Sequence, residues 1–401
     1  MERKPTYLIM VTTENNNKYY NCFPEGSQFR VEYGRVDSTK TTVYYPIEKW
    51  DSQIQSKLKK GYKDITHLKT ALVEEIKKDS NGKSLKQIEN EAIRKIIAKL
   101  QSIARQTVDK NYTIKSSAVT QEMVDEAQEV IDSLVNEMNT YIFNNSLLKL
   151  FSILPRKMDN VKYYLACEPK DFNKIITREQ NLLDVMRGQI YVPTDDNKDE
   201  TDDNVSDKTI LDEMGITMEE CSTEDTAVIK KLMAESAYHF SRAWKVTNLK
   251  TQKRFDDFIK ANNIKETKLL FHGSRSENWY SILKTGLKIR PANVVITGSM
   301  FGSKATYFSP KCQKSIGYTS LGGSYWANGK DNVAYMGVFN TAYGKPYDVY
   351  SFDSKYYTME YDKLPSGCNC LHAHAGSMLR NDEIVYYKEE QSTIKYLIEI
   401  K

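Results

Sequence analysis

The chain has 401 residues, 40% of them hydrophobic and 27% charged, with a formal net charge of +4. That length accommodates two or three domains, and the composition excludes a fibrous or wholly disordered protein. No run of about eighteen apolar residues occurs and MERKPTYLIMV has neither the apolar core nor the cleavage site of a secretory leader, so membrane spans and secretion are not expected. Six cysteines are scattered at 22, 167, 221, 312, 368 and 370, which predicts free thiols in a reducing, intracellular setting rather than a disulfide framework. Residues 1–70 carry twelve Lys and Arg against eight Asp and Glu, a surplus equal to that of the whole chain. A solvated lysine-rich surface and a module facing a polyanion both account for it.

In chain order, residues 5–50 read as strands. Tyr7–Val11, Lys18–Phe23, Phe29–Val36 and Thr41–Tyr45 are rich in Tyr, Val and Thr and are separated by turn residues. A lysine-rich amphipathic helix over 46–60 follows. From about Ser84 to Lys231 the spacing turns helical. Ile88, Ile93, Ile96, Ile97 and Leu100 form one stripe. Met123, Ala127, Val130, Ile131, Leu134 and Met138 form another, with Thr120 as its N-cap. Leu147–Leu154 predicts a helix that Pro155 ends. Further helices are expected over 171–186 and 223–234. Between them, TDDNKDETDDNVSDK (194–208) holds seven acids and almost nothing apolar, which predicts a surface loop. From about Tyr238 strands return, at 243–247, 268–272, 305–308, 332–340, 384–387 and 394–400, with short helices between them.

Three features of this last region carry chemistry. The strand Leu269-Leu270-Phe271 ends in His272-Gly273-Ser274. Tyr307-Phe308 precedes Lys314, Ser315 and Tyr318. Asn381-Asp382-Glu383 enters the strand Ile384-Val385-Tyr386-Tyr387. Taken singly, the histidine reads as structural, the tyrosines as core aromatics among 27, and the glutamate as a surface acid. Their order and spacing together point to one site.

In that combination the region from about Tyr238 to Lys401 resembles the catalytic domain of the poly(ADP-ribose) polymerase family. The matching pieces are Leu269-Leu270-Phe271-His272-Gly273-Ser274, Met300-Phe301-Gly302 with Tyr307-Phe308, and Glu383 through Tyr387 with Gln391 and Lys395-Tyr396. Matching on Ile384-Val385-Tyr386 alone would put Asp382 at the catalytic position. Counting back from Gln391 and Tyr396 selects Glu383, four residues before Tyr387, and leaves Asp382 as the alternative.

The resemblance implies that NAD is the substrate, that no separate cofactor is needed, and that ADP-ribose passes to protein acceptors, including the chain itself. Breaking the nicotinamide–ribose bond builds an oxocarbenium-like cation, which a nearby carboxylate stabilises while polarising the incoming hydroxyl. That role falls to Glu383, with Lys314 orienting it. His272 is expected on the adenosine ribose, the Gly273 backbone and Ser315 hydroxyl on the carboxamide, and Tyr307 and Tyr318 on the two faces of the nicotinamide. Ser274 and Asn278 are expected near the adenosine. A Cβ at Gly273 would keep the carboxamide from the strand edge.

Some positions depart from the family's pattern. Ser299 stands where an aromatic is common, and Lys288 where arginine is. The interval from Gly302 to Tyr307 is one residue longer. The segment from Gly376 to Glu383 is shorter than in the nuclear members, which bears on chain elongation more than on NAD cleavage. No metal site is expected. Cys368, Cys370, His372 and His374 alternate in a zinc-like pattern, but four ligands along one straight strand cannot reach one ion; only a bent loop could gather them. The preceding Lys363–Gly367 predicts a variable surface loop here.

Toward the N-terminus, Glu32-Tyr33-Gly34-Arg35-Val36 resembles the signature of the WGR domain, with Tyr33 in place of tryptophan. This implies that Tyr33 stacks on, and Arg35 pairs with, a nucleic-acid end, DNA breaks first. The middle helices, Leu147–Pro155 above all, resemble the family's regulatory helical domain, which covers the NAD site until a partner binds. The expectation is therefore a multidomain α+β chain. It comprises a small β-rich WGR-like domain (1–75), an all-α helical bundle (84–232) and a mixed α+β ADP-ribosyltransferase domain (236–401). It is expected to make poly(ADP-ribose) in response to DNA breaks, in the nucleus of a eukaryote or the cytoplasm of a bacterium. Two rival readings stand beside it: single ADP-ribose transfer, and a nucleic-acid-binding regulator without activity.

Overall fold

The structure is a computed structural model that describes residues 3–14, 16–36, 38–66, 84–190, 205–289 and 300–401. The chain divides into two compact units, Met1–Ile76 with Arg105–Pro193, and Lys77–Ala104 with Thr194–Lys401. Residues 194–204 of the acidic stretch, and Ser299, lie outside the described residues.

The first unit begins with a five-stranded sheet of order β4-β3-β2-β1-β5. Its strands are β1 (Thr6–Thr12), β2 (Asn16–Glu25), β3 (Gln28–Arg35), β4 (Thr41–Pro46) and the short β5 (Lys63–Asp64). Alternation works as the sequence predicts: Leu8, Tyr20, Cys22, Phe29 and Val31 bury one face, and Trp50 of α1 (Trp50–Lys59) covers it. The helices of this unit bury stripes of their own. In α3 (Gln121–Leu134) these are Val124, Ala127, Val130, Ile131 and Leu134. In α4 (Thr140–Ile153) they are Phe143, Leu147, Leu150 and Phe151, and Phe143 stacks on Phe172 of α5 (Phe172–Gln189) at 3.8 Å. Thr120 caps α3 by accepting from the Met123 N–H at 3.3 Å. Met138 does not join the stripe: the helix stops at Leu134 and Met138 is 85% exposed. Asn17 of β2 donates to the Met158 carbonyl at 2.9 Å, and the buried Arg156 pairs with Glu179 at 2.6 Å, so polar contacts join the sheet to the helices within this unit.

Three strands interrupt the stretch expected to hold helices and one acidic surface loop, and one of them begins at Val205, within the residues expected to be that loop. β6 (Ser84–Lys86) pairs with β7 (Val205–Thr209), and β8 (Ile216–Glu220) pairs with β9 (Phe240–Asn248). They are three to five residues long, too short to show a period against the helices around them. The long α2 (Glu91–Asn111), with Ile93, Ile96, Ile97 and Leu100 buried, contains the division between units.

The second unit is a mixed α+β structure built on two sheets. One has the order β10-β12-β16-β9-β8, the other β11-β15-β14-β13. The first joins β10 (Lys268–Gly273), β12 (Ala334–Thr341) and β16 (Ser392–Ile400) to β9 and β8. The second contains β11 (Thr306–Phe308), β13 (Pro346–Val349), β14 (Cys370–Ala373) and β15 (Glu383–Tyr386). β14 corrects the expectation of a loop at 368–374: it is an inner strand, parallel to β13 and antiparallel to β15. Its buried Cys370, Leu371 and Ala373 do not alternate with exposed residues, so the four-residue run carries no strand period. Paired backbone bonds between Phe271 and Ser309, at 2.9 and 3.1 Å, stitch the end of β10 to the chain after β11 and so bring the two sheets together. Around them lie α7 (Thr223–Met233), α8 (Leu249–Ala261), α9 (Trp279–Thr285) and α10 (Cys312–Ile316), with the short α6 (Ile210–Met214) leading into β8. Among the described residues no helix is long and apolar enough to cross a membrane.

Candidate active site

The junction of the two sheets collects the residues singled out in the sequence. β10 delivers His272 and Gly273, β11 Tyr307, α10 Lys314 and Ser315, the following turn Tyr318, and β15 Glu383. His272 Nδ1 lies 3.0 Å from the Tyr307 carbonyl. A carbonyl can only accept, so Nδ1 carries the proton and Nε2 is left as an acceptor. Crowding by protein, including the rings of Phe308 and Phe339, drives the imidazole pKa below its usual value against the opposing pull of that carbonyl, so the ring is neutral at pH 7.

Gly273 is required by a close approach. A Cβ there would sit 1.9 Å from the Ser315 carbonyl oxygen and 3.2 Å from the Tyr318 Cβ. The glycine lets the end of α10 lie against the strand, which places Ser315 and Tyr318 beside Gly273. The structure thus gives this glycine a requirement inside the protein itself, beside the one expected from the carboxamide.

Glu383 is 6% exposed. Its Oε1 accepts from Lys314 Nζ, while its Oε2 is buried without a hydrogen-bond partner. Lys314 also reaches the Asn381 carbonyl at 3.4 Å. Burial pushes the Glu383 carboxyl up, and Lys314, by charge and hydrogen bond, opposes the rise. The carboxylate in turn lies close enough to help raise both tyrosines. Burial is the larger cause for each, and Tyr318 is pushed up to about 12.

The neighbouring acid, Asp382, faces elsewhere. Its carboxylate accepts from the Ala375 N–H at 2.8 Å and lies 2.9 Å from His372 Nε2. Adjacent residues of an extended strand point to opposite faces, so only Glu383 shares a face with Lys314.

The tyrosines are held differently. Tyr307 donates its hydroxyl to the Gly302 carbonyl at 2.7 Å and accepts from the Phe301 N–H at 3.1 Å, so its phenol ties the Met300-Phe301-Gly302 segment to β11. Tyr318 stacks on Trp326, with centroids 6.0 Å apart and planes 17° from parallel. Sequence reading missed Trp326, which lies in a turn with no regular period. Its backbone N–H bonds the Gly317 carbonyl at 2.9 Å, bringing it beside Tyr318. Asn278 donates to the Ser274 hydroxyl at 2.9 Å, so those two side chains are joined to each other at the start of α9. Lys288 pairs with Glu389 at 2.8 Å. In the first unit, Tyr33 and Arg35 lie on β3, each opposite a β2 residue, Tyr20 and Lys18 respectively. The sulfurs of the alternating Cys-His stretch take separate carbonyls, Cys368 that of Pro346 at 3.5 Å and Cys370 that of Tyr343 at 3.4 Å, so they do not form one site with His372 and His374.

The profile described as "Poly(ADP-ribose) polymerase catalytic domain" matches residues 223–401. The chain is 36% identical over 187 residues to "Uncharacterized protein 101L" of Invertebrate iridescent virus 6, covering 46% of this chain and 76% of the viral one. It is 34% identical over 163 residues to "Putative poly [ADP-ribose] polymerase-like 100L" of the same virus, 40% of this chain and 84% of that protein. The chain belongs to the poly(ADP-ribose) polymerase family. The likeness extends to "Poly [ADP-ribose] polymerase 2" of Arabidopsis thaliana, 29% identical over 170 residues, 36% of this chain and 26% of the plant protein. As a family member the chain is an NAD ADP-ribosyltransferase, and NAD is the substrate rather than a cofactor. The matched span contains all of the second unit from α7 onward, including every residue of the site at the sheet junction.

Gly273→Ala tests the close approach. The added methyl meets backbone, which cannot swing aside, so the variant is expected to lose about 1–3 kcal/mol. For a unit of this size that is a fall of several degrees in Tm. Its NAD turnover is expected to fall further than stability alone accounts for. Differential scanning fluorimetry with an NAD-consumption assay reads both, and a variant of wild-type Tm and turnover refutes the packing argument.

Proposed function

We propose that this chain transfers ADP-ribose from NAD to protein acceptors, itself among them, extends the product into a polymer, and is stimulated by broken nucleic-acid ends. The observation that carries the catalytic part is Glu383: a buried carboxylate with one oxygen fixed by Lys314 and the other without a partner. Such a group is costly for stability and is suited to a cation that exists only during reaction.

In this reading the nicotinamide–C1′ bond breaks with its electron pair leaving on the nicotinamide nitrogen. Positive charge gathers on the ribose, and Glu383 Oε2 stabilises it. An acceptor carboxylate or hydroxyl attacks C1′, and when the acceptor is the hydroxyl of a growing chain, Glu383 polarises it and takes up its proton. His272, neutral and accepting at Nε2, suits a ribose hydroxyl. Ser315 and the Gly273 backbone receive the carboxamide, and Tyr307 and Tyr318 flank the ring. Ser274 and Asn278 form one hydrogen-bonded pair near the adenosine. The short segment from Gly376 to Glu383 favours a second reading, single transfer; a ladder rather than a single shifted band after incubation with NAD separates polymer from that outcome.

Activation is assigned to the WGR-like sheet. Tyr33 is 36% exposed and its ring lies 6.0 Å from that of Tyr20. Lys18 and Arg35 occupy directly opposed positions of β2 and β3. Two cations facing each other across a strand pair favour an anion between them, and a phosphate beside an aromatic is the chemistry of a nucleic-acid end. In the same reading the helices of residues 84–232 restrain the enzyme until the activator binds.

Glu383→Gln keeps the shape and removes the charge. Turnover should fall by about a hundred- to a thousandfold while NAD still binds, as read by nicotinamide release and calorimetry. Full turnover would transfer the role elsewhere. Activity requires the ionised carboxylate, so its acid limb should lie above the ordinary carboxylate range, because burial raises the Glu383 pKa. Lys314→Met removes the group that holds that pKa down, so the limb of the kcat profile should move further toward high pH; a limb that stays or moves down contradicts the pairing. For the nucleic-acid site, Arg35→Ala should weaken binding to nicked DNA and reduce the slope of log K against log salt by about one, measured by fluorescence anisotropy. An unchanged slope takes Arg35 out of contact with phosphate.

A further inference from the structure

One cluster of titratable side chains has no part in the chemistry above. It lies on the face of the four-stranded sheet opposite Glu383. His372 of β14 and His374 just beyond the strand stack their imidazoles at 3.8 Å. Asp348 of β13 is the register partner of His372, and its Oδ1 lies 2.7 Å from His374 Nε2 and 3.8 Å from His372 Nδ1. On the other side, Asp382 Oδ2 lies 2.9 Å from His372 Nε2 and 3.8 Å from His374 Nδ1. The Tyr343 hydroxyl is 2.8 Å from His372 Nδ1. Tyr350 stacks flat on His374, at 4.4 Å and 6°.

We propose that Asp348, His372 and His374 form a site for a divalent transition metal of zinc's chemistry, with Asp382 as the carboxylate that orients both imidazoles. Their donor atoms already lie within 4.8 Å of one another. A tetrahedral ion with bonds of about 2.0–2.1 Å needs its donors roughly 3.4 Å apart. The observed 2.7 and 3.8 Å bracket that value, so small side-chain movements suffice. Three protein ligands leave a fourth position to water, and Asp348, with 44% of its side chain exposed, gives the ion access from solvent.

The proton arrangement supports the assignment. A carboxylate cannot donate, so His372 Nε2 holds its proton toward Asp382 and Nδ1 offers its lone pair to the cluster, accepting at present from Tyr343. A carboxylate partner on the far nitrogen is the arrangement that fixes a metal-ligating histidine. His374 holds its Nε2 proton toward Asp348, in the place the ion would take. Ion binding moves that proton to Nδ1, which faces Asp382, and frees Nε2; a neutral ring neither gains nor loses a proton in the exchange.

The donor set is two imidazoles and one carboxylate, with both cysteines directed at backbone carbonyls. It therefore selects zinc or its transition-metal neighbours over magnesium and calcium, which prefer oxygen alone. The ion's hold on Asp382 reaches the active site through the backbone. The Asp382 carbonyl accepts from the Ser309 hydroxyl at 3.1 Å, and the adjacent Asn381 carbonyl from Lys314, the partner of Glu383. The site stands independently of the NAD reading.

The full chain, stripped with a chelator and titrated with Zn(II) alone in a calorimeter, tests this. One ion per chain with micromolar or tighter affinity is expected, undiminished by millimolar Mg(II). His374→Ala and His372→Ala should abolish uptake. Asp382→Asn should weaken it about 10- to 100-fold, and a Cys368→Ser/Cys370→Ser double variant should bind as the wild type does. Asp348→Asn, at a side chain exposed enough to leave the fold intact, should also lose affinity, which separates a lost ligand from a misfolded protein. The proposal is overturned by no uptake from a severalfold excess of Zn(II), by full uptake in His374→Ala or Asp348→Asn, or by loss confined to the cysteine variant.

Discussion

Burying the Glu383 carboxylate costs on the order of several kcal/mol, and only Oε1 is compensated, by Lys314. A chain selected for stability alone would place an apolar residue there, since a half-satisfied ion pair in the interior is worse than none. The surrounding structure is what makes the arrangement tolerable. β15 is an inner strand, bonded to β11 on one side and β14 on the other, so the backbone carrying Glu383 cannot move toward water to relieve the charge. Lys314 is fixed in turn by α10 and by the Asn381 carbonyl. Rigid placement of an under-solvated carboxylate is the condition for stabilising a transient cation without reorganisation.

The same constraint explains the flanking motifs in physical terms. Phe301 is fully buried; its N–H reaches the Tyr307 hydroxyl and its carbonyl accepts from the Tyr387 hydroxyl at 2.8 Å. Gly302 follows with φ +106, and a Cβ there would meet the Met359 carbonyl at 2.5 Å. Met300-Phe301-Gly302 is therefore a clasp between the phenols of Tyr307, on the neighbouring β11, and Tyr387, just past the end of β15, and only glycine can close it. Gln391 steadies the far end of that strand: its Oε1 accepts from the Tyr387 and Lys388 N–H groups, and its Nε2 donates to the Asn369 carbonyl. Tyr307, Tyr387 and Gln391, which the sequence marks by type and spacing, thus each hold backbone with their side chains.

What the sequence disclosed, and what it hid, follows from how each signal is encoded. His272-Gly273, Tyr307, Lys314 and Glu383 were picked out through their resemblance to the family's motifs, and the structure brings them together at one sheet junction. The Thr120 cap and the apolar stripe of α3 were legible because a helix repeats its pattern over several turns. Met138 misled, because apolar spacing continued past the point where the helix stops. β6, β7, β8 and β14 were invisible: strands of three to five residues either show too few alternations or, like β14, are buried on both faces. Trp326 was hidden for a different reason, since a turn brings it to Tyr318 and no period announces a turn contact.

Asp382 and Glu383 are adjacent acids that composition cannot tell apart, and the strand separates them by sending one to each face of the sheet. On one face the partner is an ammonium group; on the other it is a pair of imidazoles. The Asp382 carboxyl is held below its usual pKa although burial, the largest influence on it, acts upward. The Ala375 N–H and the two histidines outweigh that burial. Glu383, with a single partner and deeper burial, moves the opposite way. The two carboxyls thus differ in charge stability because of what each face supplies, and they are linked by backbone that neither can leave. One peptide bond joins the two residues, so the hold of the histidines on Asp382 and that of Lys314 on Glu383 act on the same short stretch of backbone.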